Sequence, residues 1–216
     1  MEITYLGHAS FRLNGKNAIL VTDPFDPKMV GISFPKITAD IVTVSHGHDD
    51  HNRSDLVGQV RKVIDGPGEY EVAGISVIGY PSYHDDKKGA LRGKNTIYVI
   101  EVEGVRVVHL GDLGHKLSED ALEDLGTVDI LLIPIGGFYT TGISEAIEIV
   151  QSIEPSITIP MHYFVEGMNK ENFGKLSGVE EFIKESGLAT ERVEKLIIKK
   201  GEFGEDKKIV ILEKKS

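Results

Sequence analysis

Residues 41–52 read Ile-Val-Thr-Val-Ser-His-Gly-His-Asp-Asp-His-Asn, and this stretch decides the fold. Its first four residues, Ile41 to Val44, are apolar or β-branched and predict a short buried strand. His46, His48, Asp50 and His51 follow at once in the pattern H-x-H-x-D-H. In extended backbone, residues two apart point the same way, so His46 and His48 can hold one metal ion from one side. Asp50 and His51 diverge; if the chain turns into a helix there, they face a second ion. Imidazole mixed with carboxylate suits zinc best, with manganese, nickel or iron as alternatives. The chain has 8 histidines in 216 residues, so three within one hexapeptide beside two acids mark a metal site rather than a polar turn.

The run Ser-His-Gly-His-Asp-Asp-His (45–51) resembles the signature of the metallo-β-lactamase superfamily. The stretches YLGHASF (5–11) and IPMHY (159–163) look like the metal-dependent hydrolases grouped with L-ascorbate-6-phosphate lactonase. The resemblance runs from the Asp23 loop to His162. It implies a four-layer αββα sandwich in one domain over 1–216, which also suits strands in runs with helices at their edges. His84 ends a predicted strand and is expected as the third ligand beside His46 and His48, by analogy with three-histidine zinc sites. The resemblance makes His162 the partner of Asp50 and His51 at a second ion. Asp112, in His-Leu-Gly-Asp (109–112), matches the carboxylate that bridges two metals, although Leu113 stands where many relatives carry threonine. Asp50 and Asp112 are thus the expected catalytic carboxylates. Asp23 matches a motif that supports the site; on spacing alone, an Asx turn before Pro24 reads equally well. His8 is placed near the site by the resemblance.

Composition narrows the function. The formal charge of −10 argues against a general nucleic-acid surface, because phosphate contacts dominate that affinity. There is no cysteine, hence no disulfide framework and no thiolate ligand, which fits a cytoplasmic protein. The N-terminus shows no signal-peptide pattern, and no apolar run approaches the roughly 18 residues needed to span a bilayer.

Along the chain, strands are expected over 2–6, 9–14, 18–22, 62–65, 70–72, 75–80, 96–102, 105–110, 128–133 and 156–159. An ordered loop fills 24–39. Helices are expected from a Ser54 cap through Val60, over 117–125 capped at Ser118, over 144–152 and over 178–186. Segments 196–199 and 208–212 are expected to close the sheet. Lys87, Lys88, Arg92 and Lys94 place four positive charges in eight residues just after His84. This reads as a solvated hairpin tip or as a clamp for an anionic small-molecule substrate. Tyr139 is a candidate donor to a substrate oxygen, although a packed tyrosine reads as well. The expected activity is metal-dependent hydrolysis of a small anionic ester, lactone or phosphodiester at a dinuclear site. Iron-dependent oxidoreductase chemistry and RNA processing are the alternatives that the same resemblance carries.

Overall fold

The computed structural model describes residues 1–204 and 206–214. Strands β1 (Glu2–Gly7), β2 (Ser10–Asn14) and β3 (Ile19–Thr22) pair antiparallel in succession. A four-residue helix, α1 (Pro27–Val30), and a short strand, β4 (Ile37–Thr38), lie within the expected 24–39 loop. Asp26 caps that helix by accepting from Lys28 N at 2.7 Å. Next come β5 (Ile41–Thr43), β6 (Val57–Gly58), β7 (Lys62–Ile64), β8 (Gly68–Val72), β9 (Ile75–Tyr83), β10 (Lys94–Val102) and β11 (Val105–His109). The remainder alternates: α2 (Glu119–Leu125), β12 (Ile130–Pro134), α3 (Ile143–Ile153), β13 (Ile157–Met161), α4 (Lys170–Phe173) and α5 (Val179–Ser186). β14 (Ala189–Val193), β15 (Leu196–Ile197) and β16 (Lys208–Leu212) complete it.

These strands form a six-stranded sheet, ordered β15-β1-β2-β3-β5-β7, and an eight-stranded sheet, ordered β14-β16-β13-β12-β11-β10-β9-β8. The period of two explains how they stack. Leu20, Ile41, Tyr98, Ile100, Ile130 and Leu132 point into the core between the sheets. Their neighbours Val99, Leu131 and Ile133 point outward, where Ala146, Ile149 and Phe182 of α3 and α5 cover them. The outer face of the smaller sheet is covered differently. Val21 and Val42 pack there against Val57, Phe34 and Ile37, so a β4–β6 ribbon and its loops form that layer. The central strands β5, β12 and β13 are buried on both faces, which is why they read as near-continuous apolar runs.

Three expectations are corrected. The segment after Ser54 is a single 3-10 turn, Ser54–Leu56, with no side-chain cap, because Val57 and Gly58 pair with β4 instead of continuing a helix. Segments 196–199 and 208–212 close different sheets, with β15 beside β1 and β16 between β13 and β14. No helix starts at Asp50: His51 N donates to His48 O at 2.9 Å, and the chain turns once and runs on.

Candidate metal centre

Each candidate side chain sits just past the C-terminal end of a strand. His8 follows β1, Asp23 follows β3, and His46 to His51 follow β5. His84 follows β9, Asp112 lies three residues past β11, and His162 follows β13. Carboxyl ends of strands are where α/β sheets place their sites, since the chain leaves the sheet there and its side chains are free to converge. Three of these residues hold left-handed backbone: His8 at φ 56°, Asp23 at 38° and His162 at 52°. Such backbone in residues other than glycine costs of order 1–3 kcal/mol each and clusters at functional sites.

Asp112 is the hub. Its Oδ2 lies 3.1 Å from His84 Nε2, 3.2 Å from His162 Nε2 and 3.8 Å from His46 Nε2, and its Oδ1 lies 3.3 Å from His51 Nε2. Ligating atoms gather in three overlapping sets: His46, His48 and His84; His46, His51 and Asp112; and His8, Asp50, His51 and His162. All seven ligands expected from the sequence converge, and His8 joins them. Its Nε2 is 3.1 Å from Asp50 Oδ2, and its ring centroid is 4.1 Å from that of His162.

The residues fit a cation. Asp112 Oδ1, His51 Nε2 and His162 Nε2 are buried without a hydrogen-bond partner. Buried polar atoms are nearly always paired, so a cluster of orphans aimed at one another is a donor set for a positive ion.

Asp23 orients two of the histidines. Its Oδ2 accepts from His51 Nδ1 at 2.8 Å and from Ser45 Oγ at 2.5 Å, and its Oδ1 accepts from Ser45 N at 2.8 Å. Ser45 Oγ lies 3.0 Å from His46 Nδ1. Because Ser45 spends its proton on Asp23, its oxygen accepts from His46 Nδ1–H. Both histidines therefore carry their proton at Nδ1 and present an Nε2 lone pair inward. Asp23 is fully buried beneath these side chains and does not lie in a surface turn.

Charge follows burial and neighbours. Burial lowers His46 to about 3 and His8 to about 4, so both are neutral near pH 7. Burial also opposes a charge on His51, but Asp112 and Asp50 outweigh it and raise its pKa, so without a cation Nε2 holds a second proton, which a bound cation would displace to free the lone pair. His109 is buried with both ring nitrogens satisfied: Nε2–H donates to Ala9 O at 2.8 Å and Nδ1 accepts from Gly111 N at 3.1 Å.

A cavity of about 310 Å³ opens over the cluster, lined by His48, Asp50, His84 and Asp112 on its floor and by Met29, Leu91, Arg92, Tyr139, Asn172 and Phe173 on its walls. Of the loop's four basic residues, Arg92 alone lines it. Lys87, Lys88 and Lys94 are exposed outside it. The Tyr139 hydroxyl is already committed to Asn172 O at 2.8 Å, so its ring, not its proton, faces the cavity. His115 lies away from it, accepting from Tyr83 N and donating to Lys116 O.

The sequence reading missed Asp85. This buried carboxylate accepts backbone N–H bonds from Lys87 (2.8 Å), Gly89 (2.9 Å), Leu91 (3.0 Å) and Arg92 (2.7 Å). Burial works to raise its pKa, yet these donors hold it down to about 2. The basic segment is thus a folded loop wound around one carboxylate. Gly136 has a comparable structural duty, since a Cβ there would lie 2.2 Å from His162 O.

Two stacked sheets with a histidine and aspartate cluster at their strand ends define a metallohydrolase architecture. The chain belongs to the metallo-β-lactamase superfamily as a metal-dependent hydrolase: residues 2–162 match the family described as "Beta-lactamase superfamily domain". It is similar to a Thermotoga maritima protein described as a Zn-dependent hydrolase of that superfamily, with 38% identity and a TM-score of 0.80 over 98% of this chain and 97% of that one. It is 30% identical to a UPF0173 metal-dependent hydrolase of Archaeoglobus fulgidus, across 94% of this chain and 97% of the relative. A UPF0173 metal-dependent hydrolase of Methanoregula boonei is 33% identical over 76% of this chain and 82% of its own length.

Proposed function

We propose that the chain hydrolyses a small ester, lactone or phosphodiester at a site for two divalent ions, with zinc the best match to the donors. The observation that carries this reading is the ring of imidazole nitrogens around Asp112, with buried atoms unpartnered on both sides. His46, His48 and His84 would hold one ion, Asp50, His51 and His162 the other, with Asp112 between them. When bound, such ions supply a water whose pKa falls to about 7 and a Lewis acid for the attacked oxygen.

The protein's own residues do the rest. Asp23 keeps two Nε2 lone pairs aimed inward, and His8 holds the Asp50 carboxylate from behind. Met29, Leu91 and Phe173 wall the cavity with apolar surface, which limits water around the reacting bond. No serine, threonine or cysteine is among the residues lining the cavity, and this reading assigns the attack to water. A volume of about 310 Å³ suits a small molecule, and with the charge of −10 it weighs against nucleic acid. The absence of cysteine suits the cytoplasm, and no helix among the described residues is long and apolar enough to cross a membrane.

The test is metal content followed by a substrate panel. Reconstitution should give two ions per chain, and lactones, phosphodiesters and thioesters should separate by rate. One ion per chain, or hydrolysis that survives chelation, would count against the reading.

A further inference from the structure

The loop between β9 and β10 is built, and it presents one cationic side chain to the cavity. Asp85 gathers four backbone amides, and the last two, Leu91 and Arg92, are the loop residues that reach the cavity wall. Arg92 is half-buried. One of its terminal nitrogens, Nη2, donates to Phe138 O at 3.1 Å, and its guanidinium lies 5.6 Å from the Tyr139 ring centroid. Its Nε and Nη1 are uncommitted, and it has no carboxylate partner among the described residues. Arg53, Arg61 and Arg192 are each paired with an acid, whereas Arg12 and Arg106, like Arg92, have no carboxylate partner among the described residues. Lys87, by contrast, is paired with Asp86 at 3.0 Å, in solvent.

The geometry points to Arg92 as the residue that reads an oxyanion, a carboxylate or a phosphate, on the far end of the substrate, whose apolar middle lies against Met29, Leu91 and Phe173. This rests on the hydrolase reading above and deepens it: the substrate is a short amphipathic anion with its labile bond over Asp112 and its charge at Arg92. The physical case is preorganisation. A guanidinium held by one carbonyl and one ring face loses little freedom on binding, and the second hydrogen of Nη2, together with the neighbouring Nε–H or Nη1–H, leaves one two-donor edge for a two-oxygen acceptor. The surrounding apolar wall strengthens that contact by excluding water.

Two measurements test it, on metal-loaded protein. The first compares a matched pair of esters, 4-nitrophenyl butyrate and the mono-4-nitrophenyl ester of glutaric acid. The anionic ester should have the higher kcat/KM. Arg92→Gln should cut it by about tenfold or more, the scale of a lost charge-assisted contact, and leave the neutral ester nearly unchanged. Arg92→Lys should restore only part of the loss, and a Lys87→Ala, Lys88→Ala, Lys94→Ala variant should behave as wild type. An unchanged ester ratio in Arg92→Gln would overturn the assignment. The second measurement titrates glutarate and n-butyl phosphate by calorimetry. Binding weakened by Arg92→Gln supports the assignment, the tighter ligand naming the oxyanion, and equal binding by both proteins overturns it. If neither ester is hydrolysed, the hydrolase reading is in difficulty, while the calorimetry still decides the role of Arg92.

Discussion

Replacing Asp23 with asparagine changes one atom and should disarm two ligands. The carboxylate accepts three hydrogen bonds: Ser45 N on Oδ1, and Ser45 Oγ and His51 Nδ1 on Oδ2. An amide has one acceptor and one donor end, so it faces two orientations. With its oxygen on Ser45 N, its NH₂ points at His51 Nδ1 and Ser45 Oγ. His51 must then move its proton to Nε2, and the Ser45 hydroxyl turns to donate to His46 Nδ1, which sends that proton to Nε2 as well. Both lone pairs aimed at the cluster are lost. Changing such a supporting partner typically lowers metal affinity by 10- to 100-fold, or about 1.4–2.7 kcal/mol. In the opposite orientation the NH₂ meets the buried Ser45 N–H, two donors face each other, and folding is destabilised by about 1–3 kcal/mol. The assay is a competitive chelator titration beside urea unfolding of the metal-free protein. Metal affinity or stability must fall. A folded Asp23→Asn protein with wild-type values for both would refute the tautomer argument.

Other substitutions probe the supports behind the site. Tyr98→Phe removes a buried hydroxyl placed 2.8 Å from Val44 O and 3.0 Å from Ile64 O, so urea unfolding should show a loss of about 1–3 kcal/mol with metal content unchanged. Gly136→Ala puts a Cβ 2.2 Å from His162 O and should displace that ligand, leaving purified protein with less than its full metal complement by elemental analysis. Removing bound metal altogether should lower the melting temperature without unfolding the protein at 25 °C. At free metal 1,000-fold above Kd, linkage is worth about 4 kcal/mol, or about 8–16 °C for a domain of this size. Loss of the far-ultraviolet dichroism signal on chelation at 25 °C would show that the apolar core is insufficient alone.

What the sequence made legible was the part written in side-chain type and spacing. The H-x-H-x-D-H run and the apolar or β-branched run Ile41 to Val44 need no partner to be recognised. Asp85 escaped because its partners are backbone amides, which leave no trace in residue identity. The approach of His8 to Asp50 joins residues 42 positions apart through a strained turn, and only the folded chain shows it. The helix expected after Ser54 failed because Val57 found a strand partner in Ile37, a tertiary choice that overrode a local cap signal. Strand β14 was missed because it lies at a sheet edge with mostly exposed residues, so it carries no apolar pattern.

The candidate ligands are divided between the two sheets: His46, His48, Asp50 and His51 leave the smaller one, and His84, Asp112 and His162 leave the larger. The gap between these two jaws is set by the thickness of the packing between the sheets, by Phe11 and Leu13 on one side and by Ile100 and Leu132 on the other. A close-packed interior transmits a change of one methylene rather than absorbing it. The protein therefore works as a caliper, and residues that never touch the cavity calibrate it. Enlarging or shrinking Leu132 should shift which ionic radius the jaws grip best, so metal preference can drift through core substitutions while every ligand stays in place.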